Sequence, residues 1–331
     1  MNLPSLSNST VSKTPQPKSK SGRFTWLLIG LIAGVGFGWW RVAPPPSVGG
    51  GRPGSPVATW VKNRIYATIL PREEASFERL TADNAGSWQN VFAEPIQSFD
   101  WYQGQNPTRP TTQRNVLVLQ PLGAMNVKEQ KLLRDLKEYG EAFFQLPVRI
   151  ATPLSLDGAK SWKRGRQYDS SKIISQVLLP RLPSDAAAYL GITMADLRAD
   201  GLNYVFGQGS FEQRVGVYSL GRYFPAFWGE KENAQSDQIG LRRSCQVLNH
   251  EAGHMFGLMH CVLYKCSMNG SNSLEDADAA PLDFCPLCRR KLLWNIGCDG
   301  DKRDKDLLRF YRRKGLNEEA RLLEKRMPYP R

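Results

Sequence analysis

The stretch His250–Cys266 reads HEAGHMFGLMHCVLYKC. The 331-residue chain has three histidines, His250, His254 and His260, and all of them fall here. Two of its six cysteines, Cys261 and Cys266, follow at once, and Cys285 and Cys288 arrive soon after as CPLC. On a helix, residues four apart are separated by roughly 400°, so His250 and His254 share a face. Zinc at about 2.0–2.1 Å from each imidazole nitrogen can bridge such a pair. Glu251 lies about 100° round from His250, within reach of a water on the metal without being a ligand. His260 would point about 120° away from His254 if the helix ran on. It joins the other two only if the chain turns back, and Gly257 supplies that turn because glycine accepts positive φ without penalty. Three protein ligands leave a fourth position open, the mark of a catalytic zinc.

Cys261, Cys266, Cys285 and Cys288 form C-x4-C and C-x2-C pairs. Four thiolates close a tetrahedral shell, which describes a structural zinc that pins the chain after His260. Two disulfides are the alternative pairing, relevant to a domain outside the cytoplasm. Cys245 and Cys298 remain, each buried and inert or paired with the other.

The formal charge is +13, yet it is unevenly placed. Residues 1–41 carry five Lys/Arg and no acid, and residues 302–331 carry eleven against five acids. The two ends therefore account for all but about +2, and the near-neutral centre gives no reason to expect nucleic acid as a partner.

Residues 1–23 are Ser-, Pro- and Lys-rich and read as a disordered tail. Phe24–Trp40, FTWLLIGLIAGVGFGWW, has no charge and reads as a transmembrane anchor, with a cleaved secretory signal as the alternative. Gly30, Gly34 and Gly38 repeat every four residues and would allow weak self-association of two such helices. Lys13, Lys18, Lys20 and Arg23 precede the segment, which orients the N-terminus to the cytoplasm and the rest outside. Residues 42–57 are a Pro/Gly linker, 58–301 the main domain, and 302–331 two charged helices turning at Gly315 with a solvated face.

Within the main domain, Asn115–Gly123 and Pro147–Leu154 read as strands, Val127–Phe144 as a helix with Leu132, Leu133, Leu136 and Phe143 on one side, and Asp169–Leu179 as a second helix. Leu202–Gly207 and Arg214–Tyr223 are further strands, the latter at an edge, and Leu241–Leu258 is the helix that carries the histidines. Alternating strands and helices indicate an α/β sandwich.

With these residues in view, HEAGHMFGLMHCVLYKCSM followed by CPLCRRKL resembles the archaemetzincins, a branch of the metzincin zinc metallopeptidases. RQY at Arg166–Tyr168, GLNYVFG at Gly201–Gly207 and VYSLGRY at Val217–Tyr223 extend the likeness upstream. The resemblance implies a three-layer sandwich with a mostly parallel sheet and an antiparallel edge strand above the cleft. It implies a zinc-bearing helix with His250, His254 and His260 on a catalytic zinc, Glu251 as general base and Met268 in a turn beneath the metal. It also implies a second zinc on Cys261, Cys266, Cys285 and Cys288. The chain departs from the family in its N-terminal region and in a stretch between Met268 and Cys285 about one residue shorter than usual. The expected activity is hydrolysis of a peptide or protein substrate, with Glu251 activating a zinc-bound water for attack on the scissile carbonyl. The alternative is a catalytically silent zinc-binding interaction module on the same scaffold.

Overall fold

A computed structural model describes residues 76–81, 85–159, 167–200 and 203–327. Two short helices, α1 (Ser87–Val91) and α2 (Phe99–Gly104), precede the sheet. Val116–Pro121 is β1, with every residue from Leu117 onward buried. Leu117 and Leu119 face one core while Val118 faces a second, so the strand is apolar on both sides because both sides are covered.

Helix α3 spans Val127–Phe144. Asn126 accepts from the Glu129 N–H, and Glu129 reaches back to the Asn126 N–H, a capping box that fixes the start. Leu133, Leu136 and Phe143 are buried, with Leu132 partly covered at the margin of the same face. Strand β2 (Val148–Ile150) then adds parallel to β1. Strand β3 (Gln167–Asp169) pairs with β5 (Asp196–Arg198) in a separate two-stranded sheet. Asp169 caps α4 (Ser170–Lys172), which continues as a π-helical turn over Ile173–Leu178. Strand β4 (Ala186–Thr193), β6 (Gly207–Gly209) and β7 (Val215–Ser219) complete a sheet of order β2-β1-β4-β7-β6. All neighbours run parallel except β6, which is antiparallel to β7.

Helix α5 (Ala234–Met255) crosses one face of the sheet beside α3. The opposite face is covered by the segment from α4 to Leu178, through Ile173, Ile174, Val177 and Leu178. Helix, sheet and helix form the expected three-layer α/β sandwich. Beyond α5 come α6 (Leu274–Ala279), α7 (Pro286–Ile296), α8 (Gly300–Arg313) and α9 (Asn317–Glu324).

Several expectations are corrected. Arg214–Tyr223 is not an edge strand: β7 lies between β4 and β6, and all five of its residues are buried. The edge on that side is β6, three residues long. The charges of the C-terminal helices are not all solvated. Arg303 on α8 is fully buried and donates to Asp283, Asp304 and the Phe143 carbonyl. The membrane localisation is also corrected: among the described residues, no helix is long and apolar enough to cross a membrane. The longest of them, α5, carries Asp237, Arg242, Arg243 and Glu251. The tail, the proposed anchor Phe24–Trp40, its Gly30, Gly34 and Gly38, and the linker lie outside the described residues.

Candidate functional site

Helix α5 delivers His250 and His254 one turn apart and buried, with 3.0 Å between their Nε2 atoms. The helix ends at Met255. Gly257 follows at φ +83°, its N–H donating to the His254 carbonyl at 2.8 Å. A Cβ there would also stand 2.5 Å from Pro107, so both backbone conformation and space demand glycine. The chain folds back and brings His260 to the pair, and one ligand atom from each of the three histidines lies within 4.8 Å of the others.

Each imidazole has an oxygen behind it. His250 Nδ1 meets the Ser267 carbonyl at 3.0 Å, His254 Nδ1 the Leu258 carbonyl at 2.7 Å, and His260 Nδ1 the Glu94 carboxylate at 2.8 Å. Such acceptors place the proton on Nδ1 and leave a lone pair on every Nε2. Burial, reinforced by the neighbouring imidazoles, lowers His250 to about 3 and His254 well below the usual range, so both are neutral at pH 7. The His260 Nε2 has no hydrogen-bond partner among the described residues. Three imidazoles meeting in a buried pocket suit a zinc ion, whose tetrahedral ligands at about 2.05 Å would stand roughly 3.3 Å apart.

Glu251 is buried beside them, and desolvation pushes its carboxyl up to about 8. Its carboxylate packs on Gly207 and Gly209 of β6. A Cβ on Gly207 would approach its Oε1 to 2.5 Å. The Gly209 position also lies 3.7 Å from the His254 Cβ, so the edge strand runs directly beside the histidine face of α5. Met268 is fully buried against Gly253 of the same helix. Its carbonyl accepts from the Cys261 N–H at 2.8 Å, which ties the two clusters together.

The four cysteines Cys261, Cys266, Cys285 and Cys288 are buried with all sulfurs within 4.8 Å of one another. Cys261 and Cys285 sulfurs are 3.6 Å apart, far beyond a disulfide's length of about 2.05 Å and near the roughly 3.8 Å edge of a zinc–thiolate tetrahedron. Contacts from Cys266, Cys285 and Cys288 hold the Cys261 thiol well below the usual range, whereas burial pushes Cys266 and Cys285 up. A cation is what would allow all four to ionise together. Cys266 Sγ already accepts from the backbone N–H groups of Met268 and Cys285, at 3.5 and 3.2 Å. Asn269 binds the Cys261 and Tyr264 carbonyls and the Cys266 N–H, closing the loop. Cys245 and Cys298 are separate free thiols, and burial pushes both up.

Sequence reading missed Glu94, Gly207, Gly209, Gly253 and Asn269. Glycines in this helix and strand signal close approach only once the approaching side chain is known.

Residues 183–293 match the model of peptidase family M54. Archaemetzincin-2 from Rattus norvegicus is 33% identical over 267 residues, covering 71% of this chain and 74% of the relative. The chain belongs to the archaemetzincin family. It is a zinc metallopeptidase. The archaemetzincin of Thermococcus kodakarensis is 32% identical over 193 residues, 55% of this chain and 97% of its own length. Among solved archaemetzincin structures, that from Methanopyrus kandleri is 26% identical, covers 57% of this chain and 99% of its own, and has a TM-score of 0.46.

Proposed function

We propose that His250, His254 and His260 hold a catalytic zinc, that Cys261, Cys266, Cys285 and Cys288 hold a structural one, and that Glu251 is the general base of peptide hydrolysis. The observation that carries this reading is the convergence of three histidines, one ring nitrogen of each within 4.8 Å of the others, with an oxygen on each Nδ1. Zinc held there would supply Lewis acidity, which acidifies water and polarises a carbonyl oxygen.

Glu251 takes the proton of the attacking water and delivers it to the leaving amine. Burial brings its carboxyl to about 8, near working pH, where one group can both accept and give a proton. A dication beside it favours the carboxylate form. Gly207 and Gly209 leave the space in which that carboxylate sits. Strand β6 is one of the two terminal strands of the sheet, opposite β2, and flanks the histidine face. An extended peptide that adds to β6 would have its scissile bond carried past the site.

We assign the peptidase domain to residues 58–301 and a C-terminal segment to 302–331; the bond from Arg303 on α8 to the Phe143 carbonyl supports the packing of that segment on the domain.

Glu251→Gln in the full chain is the direct test. Zinc content should be unchanged and peptide hydrolysis reduced by about 10²–10⁴. Undiminished turnover would sink the assignment of Glu251.

A further inference from the structure

Residues 85–109 precede the segment matched by the peptidase family, yet they press on the loop that carries His260. Trp88 is buried and packs edge-on against the His260 ring, with centroids 5.0 Å apart. It stands over Gly270, where a Cβ would come within 2.5 Å of the indole. The Trp88 Nε1–H donates to Glu94 Oε2 at 3.0 Å. The other carboxylate oxygen, Oε1, accepts from His260 Nδ1 at 2.8 Å. Glu94 is thus held from both sides. Gln97 reaches the same loop, accepting from the Met259 N–H at 3.1 Å and donating to the Gly257 carbonyl at 2.9 Å.

We infer that Glu94 is a positioning residue that fixes the tautomer and orientation of His260 so that its Nε2 faces the other two histidines. The inference rests on the reading of His260 as a zinc ligand. The side of the ring that Glu94 occupies decides its role. A carboxylate that plugged the site would meet Nε2, but Glu94 meets Nδ1 and leaves Nε2 without a partner among the described residues. His250 and His254 are oriented by a rigid helix and need only backbone carbonyls behind them. His260 stands on a loop past the helix end. A carboxylate acceptor gives it a stronger restraint than a backbone carbonyl would and raises its basicity as a ligand.

The test is zinc affinity at the histidine site in the full chain, measured by graded chelator competition, with the cysteine-site zinc as internal control. Glu94→Ala should weaken the histidine site by about ten- to a hundredfold. Glu94→Leu, which keeps side-chain bulk and removes both oxygens, should do the same and serves if the alanine variant does not fold. Glu94→Gln keeps an acceptor for Nδ1 and should lose less. The cysteine-site zinc should be held equally in all of them. If His260→Ala loses one zinc while Glu94→Ala and Glu94→Leu bind as tightly as wild type, the Glu94 assignment is overturned and the site reading stands. If His260→Ala loses no metal, the site reading fails and takes this inference with it.

Discussion

Gly253 and Met268 share one space: the methionine sulfur fills the notch where a Cβ on Gly253 would stand 2.5 Å away. The helix that presents His250 and His254 can rest on the Met268 turn only because its residue between them and one step from His254 has no side chain. Gly253→Ala tests this. Alanine favours helix by about 1 kcal/mol, but overpacking a buried contact costs about 1–3 kcal/mol, and Phe284 at 3.2 Å blocks an easy escape. The clash should win. The expected outcome is a lower Tm, by about 2–4 °C per kcal/mol, together with weaker zinc binding at the histidines. A raised Tm would mean that Met268 moves aside freely.

The Gly207–Glu251 contact makes a kinetic prediction. A Cβ at Gly207 would displace the Glu251 carboxylate, with Oε1 at 2.5 Å and the carboxyl carbon at 2.8 Å. Misplacing a reacting group by about 1 Å can cost roughly 10²-fold. Gly207→Ala should lower kcat/KM by that order while zinc content stays at the wild-type level. Wild-type kcat/KM in Gly207→Ala would show that the carboxylate need not sit where it does.

Asp283 gives the pH dependence of stability. Burial pushes its carboxyl up, but the Arg303 and Arg326 guanidiniums beside it outweigh burial together and hold it well below the usual range. A carboxylate whose folded pKa lies below its unfolded value, about 4, contributes its full stability above pH 4 and loses it as pH falls further. Unfolding free energy measured from pH 6 to pH 3 should drop for the wild type and drop less steeply for Asp283→Asn. Removing one partner instead, as in Arg303→Met, leaves the buried Asp283 carboxylate with Arg326 alone and should lower stability at neutral pH by less than the ~3–5 kcal/mol that a fully unpaired buried charge costs. Parallel pH curves for wild type and Asp283→Asn would contradict this.

The grouping of the histidines and of the cysteines was legible because their spacing alone encodes it, and Gly257 because a turn was required before His260. Helix α3 was legible to the residue, Val127–Phe144, since its capping box and apolar face are both local. Strand β4 was not. Its Ala186-Ala187-Ala188 start has no strand signature, and it becomes a central strand only because β1 and β7 flank it. The same tertiary fact misplaced β7: the alternation of Val215, Val217 and Ser219 with Gly216, Tyr218 and Leu220 looked like an edge, whereas both its neighbours are strands. Arg303 read as surface charge because its partner Asp283 lies 20 residues earlier, in the loop before α7. Glu94 lies 166 residues before His260 in a stretch without periodicity, so nothing local announces it.

Zinc stoichiometry tests the two-centre account most directly. Elemental analysis of the purified full chain should give two zinc ions, falling to one in His254→Ala and to one in Cys285→Ser, with free-thiol titration of the stripped, unfolded wild type recovering all six cysteines. One zinc per chain, with Cys261, Cys266, Cys285 and Cys288 recovered as disulfides, would contradict it.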